Sequence, residues 1–108
     1  MKLYKTVRVY DPEVKQKTLK LEYYDNKKSV HFTASNGYDV WFNKEGETWV
    51  CNELLSGMAL CTAPTLKECR SKLDKIEAEI GRSRLITTIN DQIRWLQSEG
   101  LELPNLTE

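Results

Sequence analysis

The sequence predicts an α+β fold, an antiparallel β-meander of five to six strands followed by two C-terminal helices. Three observations carry that expectation. Apolar and polar residues alternate in short runs over the first sixty-odd residues, the period-two signature of half-buried strands. Turn-forming residues separate those runs at short intervals, which favours hairpins over long crossover connections. After Ala63-Pro64 the apolar spacing changes to three and four residues, the repeat of one helical face.

Taken in order, residues 2–10 set Leu3, Val7 and Val9 against Tyr4, Thr6, Arg8 and Tyr10. Asp11-Pro12 stops the run, because proline cannot donate to a strand ladder and biases its predecessor away from helix. Residues 18–24 set Leu19, Leu21 and Tyr23 against Lys20, Glu22 and Tyr24, and Asp25-Asn26-Lys27-Lys28 reads as a polar turn. Residues 29–34 place Val30, Phe32 and Ala34 opposite His31 and Thr33. Ser35-Asn36-Gly37 is a turn, since Asn and Gly tolerate positive φ. Residues 38–43 place Tyr38, Val40 and Phe42 opposite Asp39, Trp41 and Asn43, before a turn at Lys44-Glu45-Gly46-Glu47. Strands at 48–54 and 57–62 complete a last hairpin. The expected core face of one sheet is then Leu3, Val7, Val9, Leu19, Leu21, Val30, Phe32, Val40 and Phe42.

A helix over 65–80 opens on Thr65-Leu66-Lys67-Glu68, which has the form of a capping box. Its apolar face is Leu66, Cys69, Leu73, Ile76 and Ile80, the natural cover for the sheet. Gly81 ends it. A second helix over 84–99 carries Leu85, Ile86, Ile89, Ile93 and Leu96. Gly100 stops it, and 101–108, containing Pro104, reads as a flexible tail.

With 108 residues the chain suits one domain, placed at 1–100. Sixteen basic and sixteen acidic side chains cancel, which argues against binding nucleic acid by bulk charge. No apolar run approaches the roughly 20 residues of a membrane span, and the start lacks a signal-peptide core. Three cysteines, Cys51, Cys61 and Cys69, form no C-x-x-C pair and no disulfide-dense pattern. They fit free thiols in a reducing cytoplasm, although Cys51 and Cys61 can face each other across the last hairpin.

Catalytic motifs are missing from the sequence. It has no phosphate-binding glycine loop, no dinucleotide fingerprint and no H-E-x-x-H. The single His31 lies on the polar side of a strand, and nothing frames it with a cysteine as a nucleophile pair. The reading is therefore a non-enzymatic chain with no cofactor and no metal site.

Two surfaces are candidates for binding. Tyr4, Arg8, Tyr10, Lys20, Tyr24, His31 and Trp41 are expected to point outward from the sheet together. Such a face serves as packing, as a protein interface rich in Tyr, Trp and Arg, or as a stacking platform for nucleic acid. Residues 1–28 hold eight Lys or Arg against four Asp or Glu, a local basic region. The second helix offers Ile89, Ile93 and Trp95 as a homodimer or partner contact if its stripe is not buried within the monomer.

From Thr48 onward the chain runs Thr-Trp-Val-Cys-Asn-Glu-Leu-Leu-Ser-Gly-Met-Ala-Leu-Cys-Thr-Ala-Pro-Thr-Leu-Lys-Glu-Cys and continues as helix to Ile80. A Trp-led strand, a Ser-Gly turn, a short strand and a capped helix start resemble small accessory proteins of bacteriophages and mobile elements. The resemblance covers about a third of the chain. It implies a small cytosolic protein without enzymatic activity. Some proteins of that class block host defence systems, CRISPR effectors among them, by direct protein contact. The expected function is accordingly a protein-binding inhibitor of a host defence complex or nuclease, with a sequence-tolerant nucleic-acid-binding module as the alternative.

Overall fold

In the computed structural model, which describes residues 2–25, 30–35 and 37–106, the alternating runs become six strands. β1 (Tyr4–Asp11) and β2 (Gln16–Tyr23) form one antiparallel hairpin. β3 (His31–Ser35), β4 (Tyr38–Glu45), β5 (Thr48–Glu53) and β6 (Ala59–Ala63) form a separate antiparallel sheet in sequence order. The helices α1 (Leu66–Ile80) and α2 (Arg82–Ser98) follow, and a short 3-10 turn spans Pro104–Leu106. The fold class is α+β, with the strands divided between two sheets rather than running as one meander. Residues 26–28 of the first expected turn, Ser29 of the strand expected after it, Asn36 of the next turn, the side chains of Thr33, Ala34 and Ser35, and residues 107 and 108 lie outside the described residues.

Local chemistry sets the element ends. The β1–β2 turn is held by the Glu13 amide donating to Asp11 Oδ1 at 2.9 Å. Thr65 caps α1 as its sequence predicts, its hydroxyl accepting from the Glu68 amide at 3.1 Å. Gly81 separates the helices at φ 85°, ψ 143°, an essentially glycine-only region that costs a residue with a Cβ about 1–3 kcal/mol. Across that break Glu77 accepts from the Tyr38 hydroxyl and from Arg82 Nε, tying β4 to both helices.

The main core lies between the four-stranded sheet and the helices. Val40, Phe42, Cys51 and Ala63 pack with Cys69 and Leu73 of α1 and with Leu85, Ile89, Ile93 and Leu96 of α2. The opposite sheet face is also buried. Trp41 pairs with Asn52 and Asn43 with Val50, so these four share a face. Trp41, Asn43 and Asn52 are at most 1% exposed, and the Asn52 amide donates to Asn43 Oδ1 at 2.9 Å and to the Trp41 carbonyl at 3.2 Å. Lys5 and Tyr24 reach onto the Trp41 ring, at 5.9 Å and 5.5 Å from its centroid. Lys5 is itself buried and ion-paired with Glu45; burial lowers its pKa, with the Glu22 charge opposing.

One joint connects the two sheets. The turn after β5 is shaped by Glu53, whose buried carboxylate accepts the amides of Leu55 and Ser56, both at 2.7 Å. That turn presents the Gly57 carbonyl to the Thr6 amide at 2.9 Å and the Ser56 carbonyl to the Thr6 hydroxyl at 2.6 Å. The Tyr4 hydroxyl donates to Leu55 O. Because successive side chains of a strand point to opposite sides, β1 sends Tyr4 into the helix-side core and Lys5 onto Trp41.

Several expectations are corrected by this arrangement. Tyr4 and Trp41 do not point outward; both are fully buried. Phe32 pairs with Trp41, not with the Phe42 face, and is 46% exposed. Val9 is 41% exposed, since the far half of the β1–β2 hairpin extends past the core. Alternation fixes the two faces of each strand, but only register fixes which face meets which in the next strand. Ile89 and Ile93 are core residues and offer no free stripe for a second copy. Residues 101–106 are not a loose tail: Leu103 is buried, the Leu101 amide donates to Leu96 O, and Asn105 exchanges hydrogen bonds with the Lys2 backbone.

Two predictions follow from the joint and from the Glu77 clamp. Gly57 has φ +68°, and an added Cβ would stand 2.9 Å from Thr6 Oγ1 and from Tyr4 Cδ2. Gly57→Ala is expected to cost about 2 kcal/mol or more and to lower the melting temperature by roughly 10 °C; an unchanged thermal melt would contradict this packing. The Tyr38 hydrogen bond, followed by Arg82, holds the Glu77 carboxyl below its usual range. Its contribution to stability is present above the unfolded carboxylate value, about 4.3, and is lost as pH falls through the lowered folded value. Glu77→Gln should therefore flatten the acid limb of a stability–pH curve, whereas superimposable limbs would show that the carboxylate is not so engaged.

Candidate functional site

The outward face expected for seven residues is divided by strand register. Arg8 pairs with Leu19, Tyr10 with Lys17 and Tyr4 with Tyr23, so these share the hairpin face that turns toward α2. Lys20 pairs with Val7 and points the other way. His31 is exposed on β3 of the other sheet, its ring 5.6 Å from that of Trp49. Tyr24 is half-buried against Trp41. Of the seven, Arg8 and Tyr10 thus remain together on an accessible face, with Tyr10 59% exposed.

The same register brings Arg8 to a residue assigned by the sequence to a different surface. Leu85, Ile89, Ile93 and Leu96 fill the buried stripe of α2, and Trp95 lies outside it, 36% exposed. The Arg8 guanidinium stacks over the Trp95 ring at 5.6 Å. Arg8, Lys17, Thr18, Leu19, Trp95 and Glu99 line a shallow cleft of about 270 Å³ between hairpin and helix. It presents a guanidinium, an ammonium and a carboxylate around one indole.

A larger groove of about 660 Å³ is formed where Tyr23 of β2 meets Gln97 of α2 and residues 101–106. Its exposed apolar surface includes Tyr23 and Leu106. Lys2 lies over the Tyr23 ring at 5.8 Å. Sequence reasoning missed this groove for two reasons. Tyr23 alternates in phase with Leu19 and Leu21 and so reads as core. Residues 101–106 carry too little periodicity to show that they dock.

The smaller cleft combines Arg8, Lys17, Trp95 and Glu99, and the larger one Tyr23, Gln97 and Glu102 with apolar Leu101, Leu103, Pro104 and Leu106. Among the described residues no group of three or more His, Cys, Asp or Glu side chains is arranged to hold a metal ion. No helix among the described residues is long and apolar enough to cross a membrane. The chain matches no family model, no curated protein and no solved structure.

Proposed function

We propose that this chain is a non-catalytic binding protein that engages a partner protein through the surface where the β1–β2 hairpin meets α2. The observation that carries the reading is the accessible Arg8–Trp95 stack, flanked by exposed Tyr10 and Tyr23. Arg, Trp and Tyr dominate interface energetics because each combines a large apolar area with a directed polar group. A guanidinium already stacked on an indole loses little freedom on binding and keeps its hydrogen-bond donors for a carboxylate. The partner chemistry that fits is an acidic surface bordered by apolar side chains. The resemblance of the segment from Thr48 to Ile80 to phage and mobile-element accessory proteins extends the reading to inhibition of a host defence complex or nuclease in the cytoplasm.

Two features of the fold weigh against the nucleic-acid alternative. Lys5 belongs to the basic N-terminal region, yet it is buried and paired with Glu45 rather than presented to solvent. Tyr4 and Trp41, two of the aromatics a stacking platform would use, are inside the protein.

The test is affinity capture from bacterial lysate, with and without nuclease treatment, using the wild-type chain and Arg8→Glu, Trp95→Ala and Lys44→Glu, the last a control at an exposed β4 position. A protein retained by wild type and Lys44→Glu but lost by at least tenfold from Arg8→Glu and Trp95→Ala supports the assignment, given melting temperatures within a few degrees. Equal retention by all four chains overturns it. A retained set that disappears with nuclease, and shows steep salt dependence, transfers the function to nucleic-acid binding.

A further inference from the structure

Three thiols from three elements converge where β6 passes the first turns of α1. Cys51 and Cys61 are cross-strand partners in β5 and β6. Cys69 of α1 lies against the same pair, its Sγ 4.0 Å from Cys61 Sγ. The Cys61 thiol also lies 3.6 Å from the Cys69 carbonyl, and the Cys69 thiol 3.9 Å from the Cys61 carbonyl and 3.7 Å from that of Trp49. Cys51 and Cys69 are fully buried, whereas Cys61 is partly exposed. A dissolved reagent therefore meets Cys61 first, with the other two thiols behind it.

We propose that Cys61 and Cys69 form a thiol-oxidation site, in which a hydroperoxide oxidises Cys61 and Cys69 then closes a disulfide linking β6 to α1. In the first step the Cys61 thiolate attacks the peroxide. An S–O bond forms, the O–O bond breaks, and hydroxide or alkoxide leaves and takes up the proton that Cys61 released. In the second step Cys69 attacks the sulfenic sulfur. The S–S bond forms, the S–O bond breaks, and water leaves carrying the Cys69 thiol proton. Two thiols lose two electrons in total, and the hydroperoxide is reduced to water or an alcohol plus water.

Geometry and electrostatics divide the roles. Closing the disulfide requires the sulfurs to move from 4.0 Å to about 2.05 Å, a rotation of side chains already in contact. Cys51 is the less suitable partner. Its thiol is fully buried and acts on Cys61 chiefly as the hydrogen-bond donor that supports the thiolate. A hydrogen bond from the Cys51 thiol stabilises the Cys61 thiolate against the opposing effect of burial. A hydrogen bond from Cys69 and the nearby Lys72 charge help, and the Cys61 pKa falls to about 7. Lys72 is anchored there by donating to the Thr62 carbonyl at 3.0 Å. Burial pushes Cys69 up to about 12, and Cys51 is raised by its hydrogen bond to Cys61 and then by burial. Cys61 is thus the nucleophile toward peroxide, and Cys69 becomes competent once an electrophilic sulfur stands beside it.

The experiment exposes the full chain to hydrogen peroxide at pH 7, blocks remaining thiols with iodoacetamide and maps products by tandem mass spectrometry. A pKa of 7 in place of 8.5 gives roughly 15-fold more thiolate at pH 7; the accompanying loss of nucleophilicity leaves a rate roughly threefold above free cysteine. The expected product has lost two hydrogens and links Cys61 to Cys69. Cys51→Ser should still form that link, Cys69→Ser should stop at a Cys61 sulfenic acid trapped by dimedone, and Cys61→Ser should react at least tenfold more slowly. Mapping of wild type alone keeps the test decisive if a buried serine impairs folding. Three alkylated thiols after treatment, a Cys51–Cys61 link, or a trapped sulfenic acid in wild type without a disulfide would each overturn the proposal.

Discussion

The turn between β5 and β6 is the point on which the arrangement of this protein depends. Glu53 places a carboxylate in the interior and satisfies it with two backbone amides, so the loop after β5 has little choice of shape. That shape presents two carbonyls to Thr6 and one to the Tyr4 hydroxyl. The N-terminal hairpin, otherwise only two strands, is stable as part of the domain because its base is fastened there. Gly57 is required twice over, for its positive φ and for the close approach of β1.

The position of the candidate surface follows from that fastening. With Tyr4 seated among the helices, the next residues on its face are Thr6 and Arg8, and the strand rise carries Arg8 outward along α2 to Trp95. The inner half of the hairpin thus contributes to the core, and the outer half contributes accessible side chains. The same division gives a chain of zero net charge a polar, aromatic-bearing cleft where the outer half of the hairpin meets α2. The cysteine cluster belongs to the helix-facing core of the four-stranded sheet, built from the β5–β6 register and the capped start of α1.

Much of the secondary structure was legible because it rests on local signals. Thr65 and Glu68 mark the start of α1, Gly81 divides the helices, and the apolar spacing of α2 identifies Leu85, Ile89, Ile93 and Leu96 as one face. What alternation does not carry is the phase between strands. Phe32 and Phe42 alternate alike within their own strands, yet the β3–β4 register puts them on opposite faces. Arg8 and Lys20 were grouped for the same reason and are separated by the β1–β2 register. Trp41 looked outward-facing because its neighbours in sequence, Val40 and Phe42, are apolar; the sheet is covered on both sides, so both phases of β4 are buried. The Arg8–Trp95 stack joins residues far apart in the chain and has no local signature. The facing of Cys51 and Cys61 was readable from their positions in a hairpin, while the arrival of Cys69 depended on how α1 docks.

Amide hydrogen exchange at Thr6 measures most directly whether the hairpin is fastened to the β5–β6 turn. The Thr6 amide donates to the Gly57 carbonyl across the joint. If the joint organises the protein, Thr6 exchanges with the slow amides of β4 and β5, through global unfolding. If Thr6 instead exchanges orders of magnitude faster, alongside the exposed distal residue Tyr10, the hairpin opens independently and Arg8 is not held against Trp95.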